Sequence, residues 1–427
     1  MALVHPRIHI LGTGGIGSLF AYHFHKHGIP WTALLRRPPN TKEGHPSLSY
    51  MDCTALDKRS AEPKHIERIA WEPTFPLIDQ EVFSNDLVYQ KKMQQPIHQL
   101  LVATKAYQTV DALSRIKHRL RPWSTIVLMQ NGMGIKDEVC RAMGWHSARD
   151  RPNFVQGIIS HGARRTDSTV VHTGQGTVWI SACIDTIAQS SSDILRPKRN
   201  HIFDERHQTP NNPYPTLRPL SSSLRSVQYP SDWNPAFVSP FVTPSVPSYL
   251  PLSDDKEIAR LRTKSLHETL ANFCRLSTDL SLRLVVPADL LARQLQKLVV
   301  NSCLNPIGTL LQVPNGELQT PKASAVVKAL LAEAHGIIIQ SEEYQLLPPE
   351  QQATLTLDKL TDTTFQIIRD TQSNYNSTLQ DYRNGSPQSE LDYMNGTLIK
   401  MAQQSGASAE LNTKVRDQVG TMFSSPR

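Results

Sequence analysis

The sequence predicts an α/β N-terminal domain and an all-α C-terminal domain, with a proline- and serine-rich insertion between them. Three observations predict this: a glycine-rich turn directly after an apolar run, alternating strand and helix patterns up to about residue 187, and an almost wholly helical pattern from Pro287 onward. A chain of 427 residues also exceeds one typical domain. We assign residues 1–187 to the α/β domain, 188–253 to the insertion, 254–286 to a returning helix and strand, and 287–424 to the helical domain.

The first predicted element is a short buried strand that ends in a glycine-rich turn. Ile8, Ile10 and Leu11 form the apolar run, and the glycines after it have the G-x-G-x-x-G spacing that opens a helix. The first glycine permits the tight turn, the second lets a pyrophosphate approach the backbone, and the third lets the helix pack on the strand. Free N–H groups at the helix start face the anion. The sequence therefore predicts a Rossmann-type dinucleotide site at Gly12, Thr13, Gly14, Gly15, Ile16 and Gly17.

The second predicted strand, Trp31 to Leu35, ends in two arginines and follows a helical stretch from Ser18 to His27. NAD-binding chains usually carry an acidic residue near this point for the ribose hydroxyl, whereas this chain has Arg36 and Arg37. An arginine can form paired hydrogen bonds with a 2′-phosphate, so the sequence favours NADPH over NADH. The alternative is that both arginines belong to a solvated basic loop.

Charge and histidine pattern argue against two other classes of site. The net charge of +7 and the pI near 9.1 would suit a nucleic-acid binder, but no basic run has the length of a tail, and aromatic residues do not alternate with cations. Anionic small ligands explain the charge equally well. His23, His25 and His27 suggest a metal, yet only His23 and His27 share a helix face and no second ligand pair follows. We therefore expect neither nucleic acid nor a metal.

Cysteine usage and hydropathy are typical of a cytoplasmic protein. The five cysteines are scattered and form no C-x-x-C pair, which suits reduced thiols. No run approaches the roughly eighteen apolar residues of a membrane span. The first predicted strand begins by Ile8 and leaves no room for a signal peptide before it. We expect a cytoplasmic location without membrane contact.

Two later predicted strands end in polar residues. From Gln99 the chain reads as a strand, then Lys105, then a helix, and the run STIVLMQNGMG reads as a strand that ends at Asn131 and Gly132. Open α/β sheets bind ligands at the carboxyl ends of their strands, so Lys105 and Asn131 are candidate site residues. Residues 157–182 read as two or three further strands with glycine-rich turns.

The insertion is recognised by its composition. Eleven prolines lie between Ala188 and Ser253, among serine triplets and few periodic apolar residues. This density forbids a regular helix or a central strand, so we predict a mostly disordered segment. A phosphorylated segment or a dock for an unknown partner is an alternative interpretation. Order returns near Asp254 with a helical pattern and the short strand LSLRLVV.

The first helix of the C-terminal domain carries a second group of polar residues. Lys297, Asn301 and Asn305 are spaced i, i+4 and i+8, which places an ammonium and two carboxamides along one helical face. Three polar groups in a row beside core residues are typical of a ligand site. The alternative is a solvated helix face on which Asn305 is a boundary residue before Pro306.

These motifs together resemble the ketopantoate reductase family, within the wider group of 6-phosphogluconate dehydrogenase-like two-domain reductases. They occur in the family's order and span nearly the whole chain outside the insertion: GTGGIGS at Gly12, LLR at Arg36, TKAYQ, QNGMG, SHGARR, KLVVNSCLNPIGTLLQVPNGEL from Lys297, NSTLQD and SELDYMNG.

The resemblance implies NADPH-dependent reduction of ketopantoate to pantoate in pantothenate and coenzyme A synthesis. It implies that Lys297 is the general acid, a role that suits an ammonium beside a developing oxyanion. It further implies substrate contacts at Asn131, Asn301, Asn305 and Asn315, a carboxylate contact at Ser377, a 2′-phosphate contact at Arg36, and cofactor contacts at Lys105, Asn131, Ala163 and Glu390. A homodimer formed by the helical domain is also expected.

Several positions depart from the family pattern. Tyr107 replaces a common tryptophan, IISHG lacks the paired threonines that often precede its histidine, and the turn before Glu390 is one residue longer. None of these changes touches Lys297 or the asparagines, so they leave the reaction type intact and put the substrate in doubt. Two alternatives therefore stay open: a reductase of another small 2-oxo acid, and a non-catalytic NADPH-binding regulatory protein.

Overall fold

The computed structural model of the protein describes residues 7–36, 46–54, 63–74, 94–147, 149–183 and 255–425. Arg37 and the predicted insertion at 188–253 lie outside the described residues. The described strands are β1 Ile8–Leu11, β2 Trp31–Leu35, β3 Leu48–Asp52, β4 Lys64–Ile66, β5 Trp71–Pro73, β6 Ile97–Val102, β7 Leu120–Leu128, β8 Asn153–Ile159, β9 Gly162–Thr166, β10 Thr169–Gly174, β11 Val178–Ala182 and β12 Leu282–Leu284.

Eight of these strands form the main sheet, in the order β12-β11-β8-β7-β6-β1-β2-β5. Neighbouring strands run parallel except for β8 and β11, which are antiparallel. The strand β1 lies between β2 and β6, so the chain reverses its direction across the sheet at that point. Ligands of open α/β sheets bind outside the carboxyl ends of the strands at such a switch point.

Among the described residues, the helices of this part of the fold are α1 Gly15–Lys26, α2 Ala106–Ile116, α3 Ile135–Ala142 and α4 Asp255–Cys274. Phe20 and Phe24 of α1 pack on Phe273 of α4. The ring centroid of Phe273 lies 5.6 Å from that of Phe20 and 5.3 Å from that of Phe24. The helix α4 also packs on β7, and β12 pairs with β11. The residues after the insertion therefore complete the N-terminal sheet before the chain enters the helical domain.

A smaller sheet, β4-β3-β10-β9, covers the first helix. The helix α1 contacts β3, β9 and β10, and Tyr22 of α1 stacks on Tyr50 of β3 with centroids 3.8 Å apart. The strand β9 begins at Gly162, so Ala163 belongs to this sheet. The backbone of Ala163 lies against Gly15 of the glycine-rich turn.

The C-terminal domain is built around one long helix. The later described helices of the domain are α6 Pro321–Ile338, α7 Glu342–Gln345, α8 Pro349–Gln352, α9 Leu357–Asp370, α10 Ser377–Arg383, α11 Asn395–Ser405 and α12 Glu410–Ser424. The long helix, α5 Pro287–Leu311, packs against α6, α8, α9, α10 and α12. Short 3₁₀ turns occur at Asn315–Gln319 and Leu391–Tyr393. The predicted fold class, an α/β domain followed by a helical domain, is confirmed. In the described ranges, no helix combines the length and apolar character needed to cross a membrane.

Candidate active site

The glycine-rich turn is closely packed at three of its glycines. Gly12 has φ +95°, and a Cβ there would lie 2.6 Å from the backbone nitrogen of Thr104. A Cβ on Gly17 would lie 1.9 Å from the carbonyl oxygen of Gly12, and one on Gly15 would lie 2.3 Å from that of Ala163. A Cβ on Gly14 would meet nothing within 4 Å in the described part of the chain. Close packing therefore requires glycine at Gly12, Gly15 and Gly17. Gly14 instead borders open space, and a side chain at this position would occupy part of that space.

The start of α1 suits a bound anion. Gly14 is the N-cap, no side chain of the described residues caps the helix, and its first turn contains no acidic residue. The first N–H groups of a helix have no partner inside it and carry its positive dipole end. The guanidinium of Arg165 donates to the carbonyl oxygen of Thr13 and adds a positive charge beside the turn. The residues present thus fit the diphosphate of a dinucleotide.

A charged cluster joins the ends of β6 and β7 to the helical domain. Lys105 Nζ lies 2.7 Å from Asp381 Oδ2 and 3.5 Å from Glu390 Oε2. The buried Glu390 also accepts from the backbone N–H of Ala106 at 2.9 Å, the first residue of α2, and from Asn131 Nδ2 at 3.5 Å. Burial opposes the charge on Lys105, but Glu390 and Asp381 outweigh it and raise the pKa of Lys105. The lysine is therefore a fixed cation at the sheet edge.

Lys297 lies opposite this cluster, on the first half of α5. Its ammonium donates to Asn131 Oδ1 at 2.9 Å and to the carbonyl oxygen of Ile159 at 2.7 Å. Burial lowers the pKa of Lys297 to about 8, although the negative charge of Glu390 acts in the opposite direction. An ammonium has three N–H donors, so the third can reach a substrate oxygen. A lysine whose pKa lies near neutrality is suited to donate a proton.

The other predicted substrate residues fall into two groups. Asn301 is half-buried one turn after Lys297, and Asn305 is buried, with its Nδ2 3.5 Å from Ser377 Oγ. Asn315 is buried as well, but it donates to Thr371 Oγ1 at 2.9 Å, in the turn before α10. The structure thus joins Asn305 to Ser377 and places Asn315 beside the segment that leads to Ser377.

The structure removes one alternative interpretation and leaves one prediction open. The helix α5 continues through Pro306 to Leu311, so Asn305 is an interior residue and not a boundary. Arg36 is exposed directly after β2, and within the described residues no hydrogen bond or ion pair connects it to the other predicted site residues. Its predicted role at the 2′-phosphate stays a prediction.

Sequence reasoning missed two members of the site. Asp381 pairs with Lys105, and the Ile159 carbonyl holds Lys297. A signal for Asp381 was present, because it lies four residues after Ser377 in NSTLQD and therefore shares its helix face. No signal could reveal the Ile159 carbonyl, since every residue has one.

Two family models match the chain. The model described as "Ketopantoate reductase PanE/ApbA" matches residues 8–184, and "Ketopantoate reductase PanE/ApbA C terminal" matches residues 289–422. A "Probable 2-dehydropantoate 2-reductase" of Schizosaccharomyces pombe is 25% identical over 410 residues, which cover 95% of this chain and 93% of that protein. The 2-dehydropantoate 2-reductase of Bacillus subtilis is 24% identical over 408 residues, covering 94% and 93%.

Solved structures share the fold at lower identity. D-mandelate dehydrogenase with NADH and anilino(oxo)acetate has a TM-score of 0.59 at 14% identity and covers 98% of both chains. A probable 2-dehydropantoate 2-reductase from Bacillus subtilis has a TM-score of 0.52 at 20% identity, covering 97% of this chain and 99% of that one. These likenesses concern the arrangement of both domains.

Proposed function

The chain belongs to the ketopantoate reductase family and is an oxidoreductase, and from this premise we propose that it reduces 2-dehydropantoate to pantoate with NADPH. This reaction is a step of pantothenate synthesis, which supplies coenzyme A. The observation that carries the proposal is the position of Lys297. Its ammonium is held by Asn131 and Ile159 at the sheet edge where a dinucleotide would bind.

The residues present would hold the cofactor along the sheet edge. The turn from Gly12 to Gly17 would bind the diphosphate, and Arg36 would contact the 2′-phosphate. The nicotinamide end would be contacted by the remaining predicted cofactor residues, which are Lys105, Asn131, Ala163 and Glu390. NADPH, when bound, supplies a hydride to the carbonyl carbon of the substrate.

The chain's own residues then have separate tasks. Asn305 and Ser377 bind the carboxylate end of the 2-oxo acid, which sets the ketone near Lys297. As negative charge develops on the ketone oxygen, Lys297 donates a proton from Nζ to that oxygen. Asn131 and the Ile159 carbonyl hold the ammonium in place throughout. Because both are neutral acceptors, they orient the proton donor without raising its pKa by an opposite charge.

A turnover assay tests this proposal against its alternatives. NADPH oxidation is followed with ketopantoate and with a panel of other small 2-oxo acids, each at several concentrations. A kcat/KM for ketopantoate above that of every other acid supports the proposal. A higher value for another acid favours the alternative reductase. NADPH binding without turnover of any acid favours a non-catalytic binder, although Lys297 at the sheet edge would then have no task.

We also propose that the protein forms a homodimer. The support is a relative that shares the fold, a ketopantoate reductase from Staphylococcus aureus described as dimeric, with a TM-score of 0.57 at 13% identity. Light scattering after size-exclusion chromatography measures the mass directly. A mass of one chain, 47.9 kDa, at micromolar concentration would contradict the dimer.

A further inference from the structure

The helix that carries Lys297 has a gap in its hydrogen bonding. Pro306 lies inside α5 and has no N–H, so the carbonyl of Ser302 lacks its usual partner four residues later. Asn395 Nδ2 donates to this carbonyl at 2.9 Å. Asn395 and Ser302 are both 0% exposed, so water does not compete for either group. A side chain from α11 thus supplies the donor that the proline removes.

The orientation of Asn395 is fixed by two further residues. Its Nδ2 also donates to Asn412 Oδ1 at 2.9 Å, and Asn412 Nδ2 donates to Glu333 Oε2 at 2.7 Å. A carboxylate only accepts hydrogen bonds, so Asn412 must turn its NH₂ toward Glu333 and its oxygen toward Asn395. Asn395 must then turn its own NH₂ toward Asn412 and Ser302. The chain Glu333–Asn412–Asn395 therefore specifies which group faces the proline gap.

The gap lies beside Asn305, a proposed substrate contact of α5. Asn305 belongs to the turn between Ser302 and Pro306, and its Nδ2 lies 3.5 Å from Ser377 Oγ and 3.8 Å from Met394 Sδ. Met394 directly precedes Asn395, and Glu390 in the same segment contacts the start of α2. Residues 390–395 thus connect the gap in α5 to the sheet edge. A shift of this turn would move Asn305 relative to Lys297.

We propose that Asn395 is a positioning residue, which replaces the missing N–H at Pro306 and thereby keeps Asn305 in line with Lys297 for the 2-oxo acid. This inference rests on the proposed function. Asn395 is fully buried and does not reach the substrate itself. An effect on stability alone would reduce the amount of folded enzyme and leave KM unchanged. A positioning role changes KM and kcat of the folded enzyme.

The first experiment replaces the donor by a side chain of similar shape. We expect Asn395→Leu to raise the KM for ketopantoate and to lower kcat/KM by about 10- to 100-fold, the range for a misplaced contact. The Kd for NADPH, whose diphosphate would be held by the glycine-rich turn of the other domain, should stay within about twofold. Asn153→Leu is the matched control, since Asn153 is equally buried and donates to the Arg262 carbonyl at 2.8 Å, away from α5. The control should leave the KM for ketopantoate unchanged.

The second experiment restores the missing N–H. In Pro306→Ala the Ser302 carbonyl regains its helical partner, so Asn395→Leu should change kcat/KM far less in that background than in the original chain. An equal loss in both backgrounds would overturn the proposal, as would an unchanged KM in the single variant. Where Asn395→Leu does not fold, Asn412→Ala replaces it, because Asn395 then loses its orienting acceptor. The same rescue by Pro306→Ala is required.

Hydrogen exchange separates this proposal from the proposed function. In Asn395→Leu the amides of residues 303–305 and 307–310 should exchange faster, and Pro306→Ala should restore their protection. This measurement needs no substrate. If the original protein does not reduce ketopantoate, the proposed function fails while the exchange result still decides the contact. If Asn395→Leu leaves hydrogen exchange unchanged and the original protein reduces ketopantoate, the proposed role of Asn395 is overturned and the proposed function is not.

Discussion

At the scale of single residues, Lys297 decides between an enzyme and a cofactor binder. Its proton is needed only as the ketone oxygen becomes negative, so it should stabilise the transition state more than the ground state. We expect Lys297→Ala to lower kcat by roughly 10²- to 10⁴-fold, the range for a positioned general acid, with little change in NADPH affinity. Steady-state kinetics and a fluorescence titration with NADPH measure both.

Asn301→Ala is the companion variant to Lys297→Ala. A carboxamide that contacts bound substrate also contributes to ground-state binding, so this change should raise KM as well.

If Lys297→Ala folds, binds NADPH and retains turnover within about threefold, far below the general-acid range, then Lys297 is not the acid.

The lowered pKa of Lys297 predicts a pH dependence of known direction. The general acid must be protonated, and burial brings its pKa down to about 8. We therefore expect kcat/KM for ketopantoate to be level below that pH and to fall as pH rises through about 8, because the free enzyme then loses the proton. Initial rates measured at fixed ionic strength over about four pH units, from pH 6 to 10, would show this fall in kcat/KM. A profile that stays level to pH 10 would contradict the assignment.

Arg36 tests the preference between cofactors. It is exposed directly after β2, where an arginine can contact a 2′-phosphate. A charged hydrogen bond contributes about 1.5–3 kcal/mol, so NADPH should exceed NADH in kcat/KM by roughly 10- to 100-fold, and Arg36→Ala should remove most of this difference. Arg115→Ala is a control, because Arg115 pairs with Asp111 on the surface of α2. Equal use of both cofactors by the original protein would defeat the idea.

Residue identities could be predicted from sequence better than their contacts. Spacing predicted Lys297 and Asn305 as candidate site residues, the resemblance to the family added Ser377, and the roles of all three stay predictions. The bond between Lys297 and Asn131 joins residues 166 positions apart in sequence, so it depends on how two domains pack. The pairing of Lys105 with Asp381 depends on the same packing. Spacing along one helix carries no information about such contacts.

At the scale of elements, the sequence predicted a strand or helix correctly where the spacing of its apolar residues and the residues that break helices or strands indicate the same boundaries. The strand predicted from Trp31 to Leu35 matches β2, and the helix α5 begins at Pro287. Pro306 shows where the pattern fails. A proline usually ends a helix, but here α5 continues because Asn395 satisfies the free carbonyl of Ser302. That partner lies 93 residues away and could not be inferred locally.

The glycine-rich turn offers a matched pair of substitutions within one element. Gly17→Ala places a Cβ 1.9 Å from the Gly12 carbonyl oxygen, so it should destabilise the protein by about 1–3 kcal/mol, as overpacking does. Gly14→Ala meets no atom of the described residues within 4 Å and should leave the thermal unfolding midpoint nearly unchanged. It should nevertheless weaken NADPH binding, because the new methyl group occupies the diphosphate cradle.

Calorimetry and an NADPH titration on both variants separate these effects. The Gly14 variant should lose affinity while its stability is retained, and the Gly17 variant should lose stability. Undiminished NADPH affinity in Gly14→Ala would show that the diphosphate does not approach this turn.

At the scale of the whole molecule, the main sheet is built from strands that lie on both sides of the insertion in sequence and are neighbours in space. The backbone N–H of Cys183, directly after β11, donates to the Phe154 carbonyl at 3.0 Å. Arg262 of α4 donates to the Arg151 carbonyl at 2.7 Å. Both sides of the insertion are thus tied to the start of β8. Seven helical residues, roughly 10 Å, separate Arg262 from the beginning of α4 at Asp255.

This geometry makes the insertion testable by deletion. A flexible linker of about twelve residues has an average reach of roughly 20 Å, which is enough to join ends tied to the same strand. We expect a chain in which such a linker replaces residues 188–253 to fold and to keep its kcat/KM for ketopantoate within about threefold, a smaller change than the loss of one hydrogen bond to a charged group. Limited proteolysis of the full chain should cut first within 188–253, since segments of this composition are preferred cleavage sites. Loss of turnover in the shortened chain, or first cuts elsewhere, would show that the insertion belongs to the folded enzyme, because every contact needed for catalysis in the present proposal lies outside it.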